Sequence, residues 1–310
     1  MKVFAGVATG IALIGAMIIG AVYGDKMLNS ESAAPATSAV GASTTTVPYD
    51  PPSIEEVPDG PMKEAILYGH ELVNETNTVA ADFVGNNLSC TSCHAGAGYD
   101  RESSSLVGVT ADYPQYMPRA GNILTIEDRI NGCMVRSMNG KKFEIDSEEM
   151  KAMVAYFTYI SEGVPVGADR DWAMKNTMDE VPVPNVSAGE ELYQKSCIAC
   201  HAADGSGTGA NTGPALWGPD SFNDGAGLSR LSKMAGYVQQ NMPVGNEGSL
   251  TDQDAADLAA FILSQDRPEW KNHDKDFPGI ERPKDIMDKE KRQQVKDGTI
   301  NWEEVVSKAK

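Results

Sequence analysis

The chain has 310 residues, room for two domains of ordinary size and too little for one large enzyme core with appendages. Its formal charge of −18 argues against nucleic acid as a partner and against docking on anionic lipid head groups.

In chain order, the first element is an apolar stretch from Val3 to Gly24, preceded by Lys2 and closed by Asp25 and Lys26. A cleaved signal has an apolar core of about 7–15 residues, whereas a spanning helix needs about 20. The length, and the lack of a small-x-small cleavage pattern directly after it, favour an uncleaved membrane anchor over 1–26. A cleaved signal peptide is the alternative. No cysteine lies near this stretch, which excludes lipid attachment at a mature N-terminal cysteine. Lys2 and the terminal amine would stay in the cytoplasm, placing the rest at the extracytoplasmic face, in a periplasm or at the cell exterior. Residues 27–60 are rich in Ser, Thr, Ala and Pro without apolar period and read as a flexible tether.

From residue 61 two similar units follow, 61–166 and 187–268, joined by a linker over 167–186 in which Pro182 and Pro184 argue against a continuous helix. Each unit opens with a short predicted helix, containing Gly69-His70-Glu71-Leu72 in the first and Gly189-Glu190-Glu191-Leu192 in the second. Each carries Cys-x-x-Cys-His next, then a loop with Leu106-Val107-Gly108 or Leu216-Trp217-Gly218. Each closes with an amphipathic helix: Met150, Met153, Val154, Phe157 and Ile160 share one face in the first, and Ala255, Leu258, Ala259 and Ile262 in the second. Thr251 is the predicted N-cap of the second closing helix. The remaining residues, 269–310, carry many charges of both signs and are expected to wrap the units through Trp270 and Phe277, with a short helix near the end.

The chemistry sits in Cys90, Cys93, His94 and in Cys197, Cys200, His201. Two thiols spaced by two residues add to the two vinyl groups on one porphyrin edge, and the histidine that follows becomes the proximal iron ligand. A zinc site would draw four ligands from closely spaced pairs, and a redox dithiol needs a βαβ context; neither context is present. Two covalently bound haem c groups are therefore expected, and the few aromatics, 7% of the chain, fit domains in which a porphyrin supplies buried apolar surface.

Each iron then needs a second ligand. Met242, in Asn241-Met242-Pro243 just before the closing helix, is the expected ligand in the second unit, with core packing as its alternative. Gly213-Pro214-x-Leu216-x-Gly218 resembles the loop of class I c-type cytochromes, where the proline carbonyl accepts a hydrogen bond from the proximal histidine. The expected fold is all-α, two tandem class I cytochrome c domains behind an anchor helix and a tether. In the first unit Cys133 is the only cysteine outside the attachment motifs and follows His94 at a spacing near that of Met242 after His201. Alignment backwards from the closing helices places Met138 opposite Met242 instead, and spacing alone leaves Cys133 and Met138 even.

The run Tyr113-Pro114-Gln115-Tyr116, Arg119, and Arg129-Ile130-Asn131-Gly132-Cys133-Met134-Val135-Arg136-Ser137-Met138-Asn139-Gly140 resembles the diheme thiosulfate dehydrogenase family, with similarity over about residues 61–285 that includes Asp276-Phe277-Pro278. The resemblance implies that Cys133 is the distal ligand of the first haem and part of the active site. It implies that Arg119, Arg129 and Ser137 line a substrate pocket, with Arg136 beside them. The implied activity interconverts thiosulfate and tetrathionate, with electrons leaving through the second haem to an external redox partner such as a small cytochrome or a membrane redox complex. Some members have a lysine before the second-haem methionine and switch ligands; Asn241 stands there in this chain and cannot ligate as an amine does. Residue chemistry agrees, because small dianions need a local guanidinium cluster in so acidic a protein, and four of the nine arginines fall between 101 and 136. Ordinary surface arginine is the alternative. Two rival readings remain at this point: a diheme electron-transfer cytochrome with no substrate chemistry, and a sulfur-oxidising cytochrome acting on a carrier protein.

Overall fold

The computed structural model describes residues 47–173 and 176–307. The expected anchor over 1–26 and the tether up to residue 46 lie outside the described residues, and among the described residues no helix is long and apolar enough to cross a membrane.

The first unit contains helices α1 (Lys63–Asn74), α2 (Ile126–Arg136) and α3 (Glu148–Tyr159); the second contains α4 (Val186–Ser196), α5 (Leu231–Asn241) and α6 (Asp252–Ser264). The two repeated Gly-containing motifs become α1 and α4, and in both the glycine marks a helix crossing. A Cβ at Gly69 would sit 2.1 Å from the Ala152 carbonyl oxygen on α3, and one at Gly189 would sit 2.0 Å from the Asp257 carbonyl oxygen on α6. Only hydrogen in place of a side chain lets these backbones approach so closely. Around the first crossing Leu72, Val73, Met150, Met153, Tyr156 and Phe157 are buried; around the second, Tyr193, Leu258, Phe261 and Ile262 are. Of the stripe predicted on α3 only Val154 keeps partial exposure, and the stripe predicted on α6 is fully buried. Thr251 caps α6: its hydroxyl accepts from the Asp254 N–H at 3.1 Å, and Asp254 accepts in return from the Thr251 N–H at 3.1 Å.

The chain is predominantly helical but not wholly so. A short antiparallel hairpin, β1 (Gln115–Met117) and β2 (Asn122–Leu124), pairs Tyr116 with Ile123, which corrects the all-α expectation locally. Pro114 and Pro118 block a helix there, and Gly121 closes the turn at φ +61°, a conformation that favours glycine. The expected flexible tether is also shorter at its described end. Tyr49 hydrogen-bonds to the Tyr99 carbonyl and packs edge-on to Trp172, and Tyr159 donates to the Ser53 carbonyl at 2.7 Å. Aromatic contacts of this kind bind residues 49–57 to the first unit.

The linker follows a similar logic. Trp172 is buried and donates to the Val107 carbonyl at 2.9 Å, while the Met178 N–H bonds to the Ser232 carbonyl of α5 at 2.9 Å. After α6 the chain wraps the second unit and ends in α7 (Lys289–Lys296) and α8 (Trp302–Val306). The buried carboxylate of Asp224 gathers this segment, accepting from the Trp270 N–H at 2.6 Å and from Arg292 at 3.0 Å, with His273 Nε2 at 2.8 Å. Burial alone would raise the Asp224 pKa, but its contacts with His273, Trp270 and Arg292 outweigh that and hold it below the usual carboxylate range.

Candidate active site

Each Cys-x-x-Cys-His folds into a tight turn. The His94 N–H bonds to the Cys90 carbonyl at 3.0 Å, and the His201 N–H to the Cys197 carbonyl at 2.9 Å. His94 Nδ1 lies 2.5 Å from the Ser104 carbonyl oxygen, and His201 Nδ1 lies 2.8 Å from that of Pro214. A donor at Nδ1 leaves the Nε2 lone pair for a metal. Burial favours the neutral imidazoles that ligation requires, pushing His94 down to about 4 and lowering His201. None of these cysteines is paired in a disulfide, so each motif keeps both sulfurs for thioether bonds. Among the described residues no group of three or more His, Cys, Asp and Glu side chains could hold a bare metal ion. The donor set fits haem c.

The candidate distal residues of the first unit lie on α2 and just after it. Thr125 and Asp128 cap its start reciprocally, and the buried Asn131 fixes it laterally by exchanging two hydrogen bonds with the Phe143 backbone at 3.0 and 2.8 Å. Arg129 and Cys133, one turn apart, therefore share a face. Arg129 Nη1 donates to Cys133 Sγ at 3.0 Å, and Arg129 also hydrogen-bonds to Tyr113. The charge of Cys133 raises the pKa of Arg129 and contributes to raising those of Cys90 and Cys93, while the charge of Arg129 contributes to lowering that of His94. Cys133 and Arg129 thus lie within electrostatic reach of the first attachment motif. A further cation comes from the second unit: Lys233 on α5 has its pKa lowered by burial, by Arg230 and by Arg129, and its ammonium donates to Thr177 Oγ1 at 3.3 Å. Met138, the competing candidate, is 3% exposed within the hydrophobic core, and its carbonyl accepts from the Gly85 N–H at 2.9 Å.

The other arginines have a different arrangement. Asp276, from the segment after α6, receives two hydrogen bonds from Arg136 at 2.7 and 2.9 Å and one from Arg119 at 3.1 Å. Burial would raise this carboxyl, but the two guanidiniums outweigh it and lower its pKa. Burial and the nearby Arg136 push Arg119 down to about 10. Arg136 also stacks on the Trp270 ring, with its guanidinium carbon 4.3 Å from the centroid. Both arginines border a cavity of about 730 Å³ that Lys142, Lys271 and Lys275 also line, and whose lining does not include Cys133 or Arg129. Ser137 caps the end of α2, and its carbonyl accepts from Asn86 Nδ2 at 2.8 Å. The structure therefore pairs Cys133 with Arg129, and pairs Arg119 with Arg136 through a carboxylate. Lys233 escaped the sequence reading because it lies off the apolar stripe of α5. Asp276 was visible in Asp-Phe-Pro, but no local pattern pointed to its two partners.

In the second unit Met242 follows α5 directly, its N–H bonded to the Val238 carbonyl at 3.0 Å and its side chain packed against the core. Asn241 before it is buried.

Comparison with known proteins agrees with this geometry. Residues 81–166 match the family model described as SoxA/TsdA, cytochrome c domain, and residues 186–266 match that of cytochrome c. The thiosulfate dehydrogenase of Allochromatium vinosum is 41% identical over 231 residues, which cover 72% of this chain and 86% of that protein. The chain belongs to the thiosulfate dehydrogenase family. The Psychrobacter arcticus thiosulfate dehydrogenase is 38% identical over 239 residues, covering 76% of this chain and 73% of the relative. Among solved structures, thiosulfate dehydrogenase TsdBA of Marichromatium purpuratum superposes with a TM-score of 0.69 at 31% identity. That match covers 77% of this chain and 53% of the solved one, so the chain spans about half its length. Like the family, this chain has two cytochrome c domains and carries two covalently bound haems, one on each Cys-x-x-Cys-His.

Proposed function

We propose that the protein interconverts thiosulfate and tetrathionate at the first haem, with His94 and Cys133 as axial ligands there and His201 and Met242 at the second. Two thiosulfate dianions form one sulfur–sulfur bond and release two electrons to an external acceptor, or the reverse. Haem c, when bound, supplies two one-electron couples, of lower potential under thiolate ligation and higher under thioether ligation. That difference orders the outflow toward the second unit.

The observation that carries this reading is the Arg129–Cys133 contact of 3.0 Å within electrostatic reach of the first attachment motif. The guanidinium that donates to this sulfur, together with Lys233, offsets the dianion's charge in an otherwise acidic protein. A pure electron shuttle would leave these cations with no chemical task. Arg119 and Arg136, whose cavity is lined by neither Cys133 nor Arg129, are assigned to drawing anions in rather than to the sulfur chemistry, and Ser137 to ending α2 beside them. The catalytic units are placed at the extracytoplasmic face, tied to the membrane by the N-terminal segment, with a small cytochrome or membrane redox complex as acceptor.

The test is an assay of the purified diheme protein with thiosulfate and an artificial electron acceptor. Stoichiometric tetrathionate with acceptor reduction is expected. A protein that exchanges electrons with the acceptor but is not reduced by thiosulfate would be a shuttle.

A further inference from the structure

The acceptor of the proximal histidine differs between the units in what stands behind it. Behind His201, the loop of Pro214 bonds within its own unit: the Thr208 N–H to the Gly213 carbonyl at 2.7 Å, and the Leu216 N–H to the Gly205 carbonyl at 2.9 Å. Behind His94 a chain of side chains leads out of the first unit. Ser104, whose carbonyl faces His94 Nδ1 at 2.5 Å, accepts at its hydroxyl from Asn176 Nδ2 at 2.7 Å. Asn176 Oδ1 accepts from Asn241 Nδ2 at 3.0 Å. Asn241 Nδ2 also donates to the Tyr237 carbonyl at 3.0 Å, and Asn241 Oδ1 accepts from the Ser103 hydroxyl at 2.9 Å. Tyr237, one turn earlier on α5, hydrogen-bonds to the same Ser103. Asn241 is the residue immediately before Met242.

We infer that Asn241 is a positioning residue that joins the ligand shells of the two haems, holding the Ser103–Ser104 backbone against His94 from the segment that presents Met242.

The inference rests on the reading of Met242 as the second iron's ligand. Asn241 and Asn176 are 5% and 7% exposed, and a buried amide is costly unless its groups are bonded. Here both Nδ2 hydrogens and the oxygen of Asn241 are engaged, so its orientation is determined. Through Asn176 that orientation reaches the hydroxyl of Ser104, and through Ser103 it reaches the residue before. Both contacts resist movement of the Ser104 carbonyl. A firm hydrogen bond from Nδ1 makes the imidazole a more basic ligand, which favours the oxidised iron and keeps the first potential low. The same asparagine fixes the entry to the Met242 turn. The two potentials are therefore set together.

The test is a spectroelectrochemical titration of the diheme protein without substrate, on wild type and on the variants Asn241→Leu, Asn176→Ala and Ser103→Ala. Asn241→Leu and Asn176→Ala should each raise the first haem's midpoint and narrow the gap to the second, and Ser103→Ala should do so by less. In Asn176→Ala the spectral signature of methionine ligation should persist, since Met242's own neighbours are intact. Should Asn241→Leu fail to fold, Asn176→Ala and Ser103→Ala decide. An unchanged first midpoint in Asn176→Ala and Ser103→Ala, whatever happens at the second haem, overturns the inference. Because no thiosulfate is present, this result stands apart from the turnover assay that tests the activity. A loss of the methionine signature in Met242→Leu is required for the ligand assignment on which the inference depends.

Discussion

The two units share a frame and differ in one wall. In each, a glycine lets an opening helix sit against a closing one, and a Cys-x-x-Cys-His turn presents an imidazole held at Nδ1 by a backbone carbonyl. The opposite wall is where they part. The second unit brings up Met242 from the end of α5, a soft neutral donor packed against apolar side chains. The first inserts a hairpin and α2, whose Cys133 is paired with Arg129. A carrier of electrons needs only the Met242 kind of wall. A cysteine sulfur beside a guanidinium, with a lysine contributed from the neighbouring unit, suits an anion. One fold thus serves relay and chemistry by exchanging one element.

The largest effect should come from removing what distinguishes the first wall. Cys133→Gly should abolish thiosulfate oxidation while both haems stay attached, as a mass measurement under denaturing conditions would show. Retained turnover would show that the sulfur chemistry does not need Cys133.

Arg129→Ala comes next. Loss of a charged hydrogen bond costs about 1.5–3 kcal/mol, or about 10- to 150-fold in kcat/KM for thiosulfate. Lys233→Met should raise KM by a smaller factor and leave haem content alone. Steady-state kinetics on both variants check this, and unaltered kinetics would return the two cations to ordinary surface and packing roles.

Asp276→Asn addresses the arginines outside that wall, and its effect should appear in stability rather than in turnover. Removing the carboxylate leaves two guanidiniums facing each other, at a cost of about 3 kcal/mol, the low end for a buried pair. The low end applies because the Arg119 and Arg136 side chains remain 21% and 20% exposed. The pKa of Asp276 is depressed in the folded state, so its contribution is present above the unfolded carboxylate pKa of about 3.9 and fades as pH falls through the folded value. Denaturant melts should show a gap between wild type and variant that is full at neutral pH and closes on acidification.

The smallest effect is expected of Met138→Leu. A volume-conserving change in the core should cost less than about 1.5 kcal/mol and leave the spectrum of the first haem intact.

Much of the frame could be read from the residues because it rests on local chemistry. The doubled Cys-x-x-Cys-His, the apolar stripes of α3 and α6 and the Thr251 cap are each set by neighbours a few residues away. The hairpin at 115–124 escaped because three-residue strands carry too little alternation to register. Spacing could not separate Cys133 from Met138, one inside α2 and the other just past its end; in the structure Cys133 contacts Arg129 while Met138 is buried in the core. Lys233, Asp276 and Asn241 act across units or from the tail, at separations of 104 to 157 residues from Arg129, Ser103, Arg136 and Arg119 in the first unit, where no local pattern reports on pairing.

The most direct test of the central claim is to give the first unit the second unit's ligand. Cys133→Met keeps a distal sulfur and removes the thiolate, so a redox titration should find the first midpoint raised toward the second, the thiolate signature lost, and the protein still able to pass electrons but unable to oxidise thiosulfate. A variant that oxidised thiosulfate at the wild-type rate with both midpoints unmoved would contradict the account.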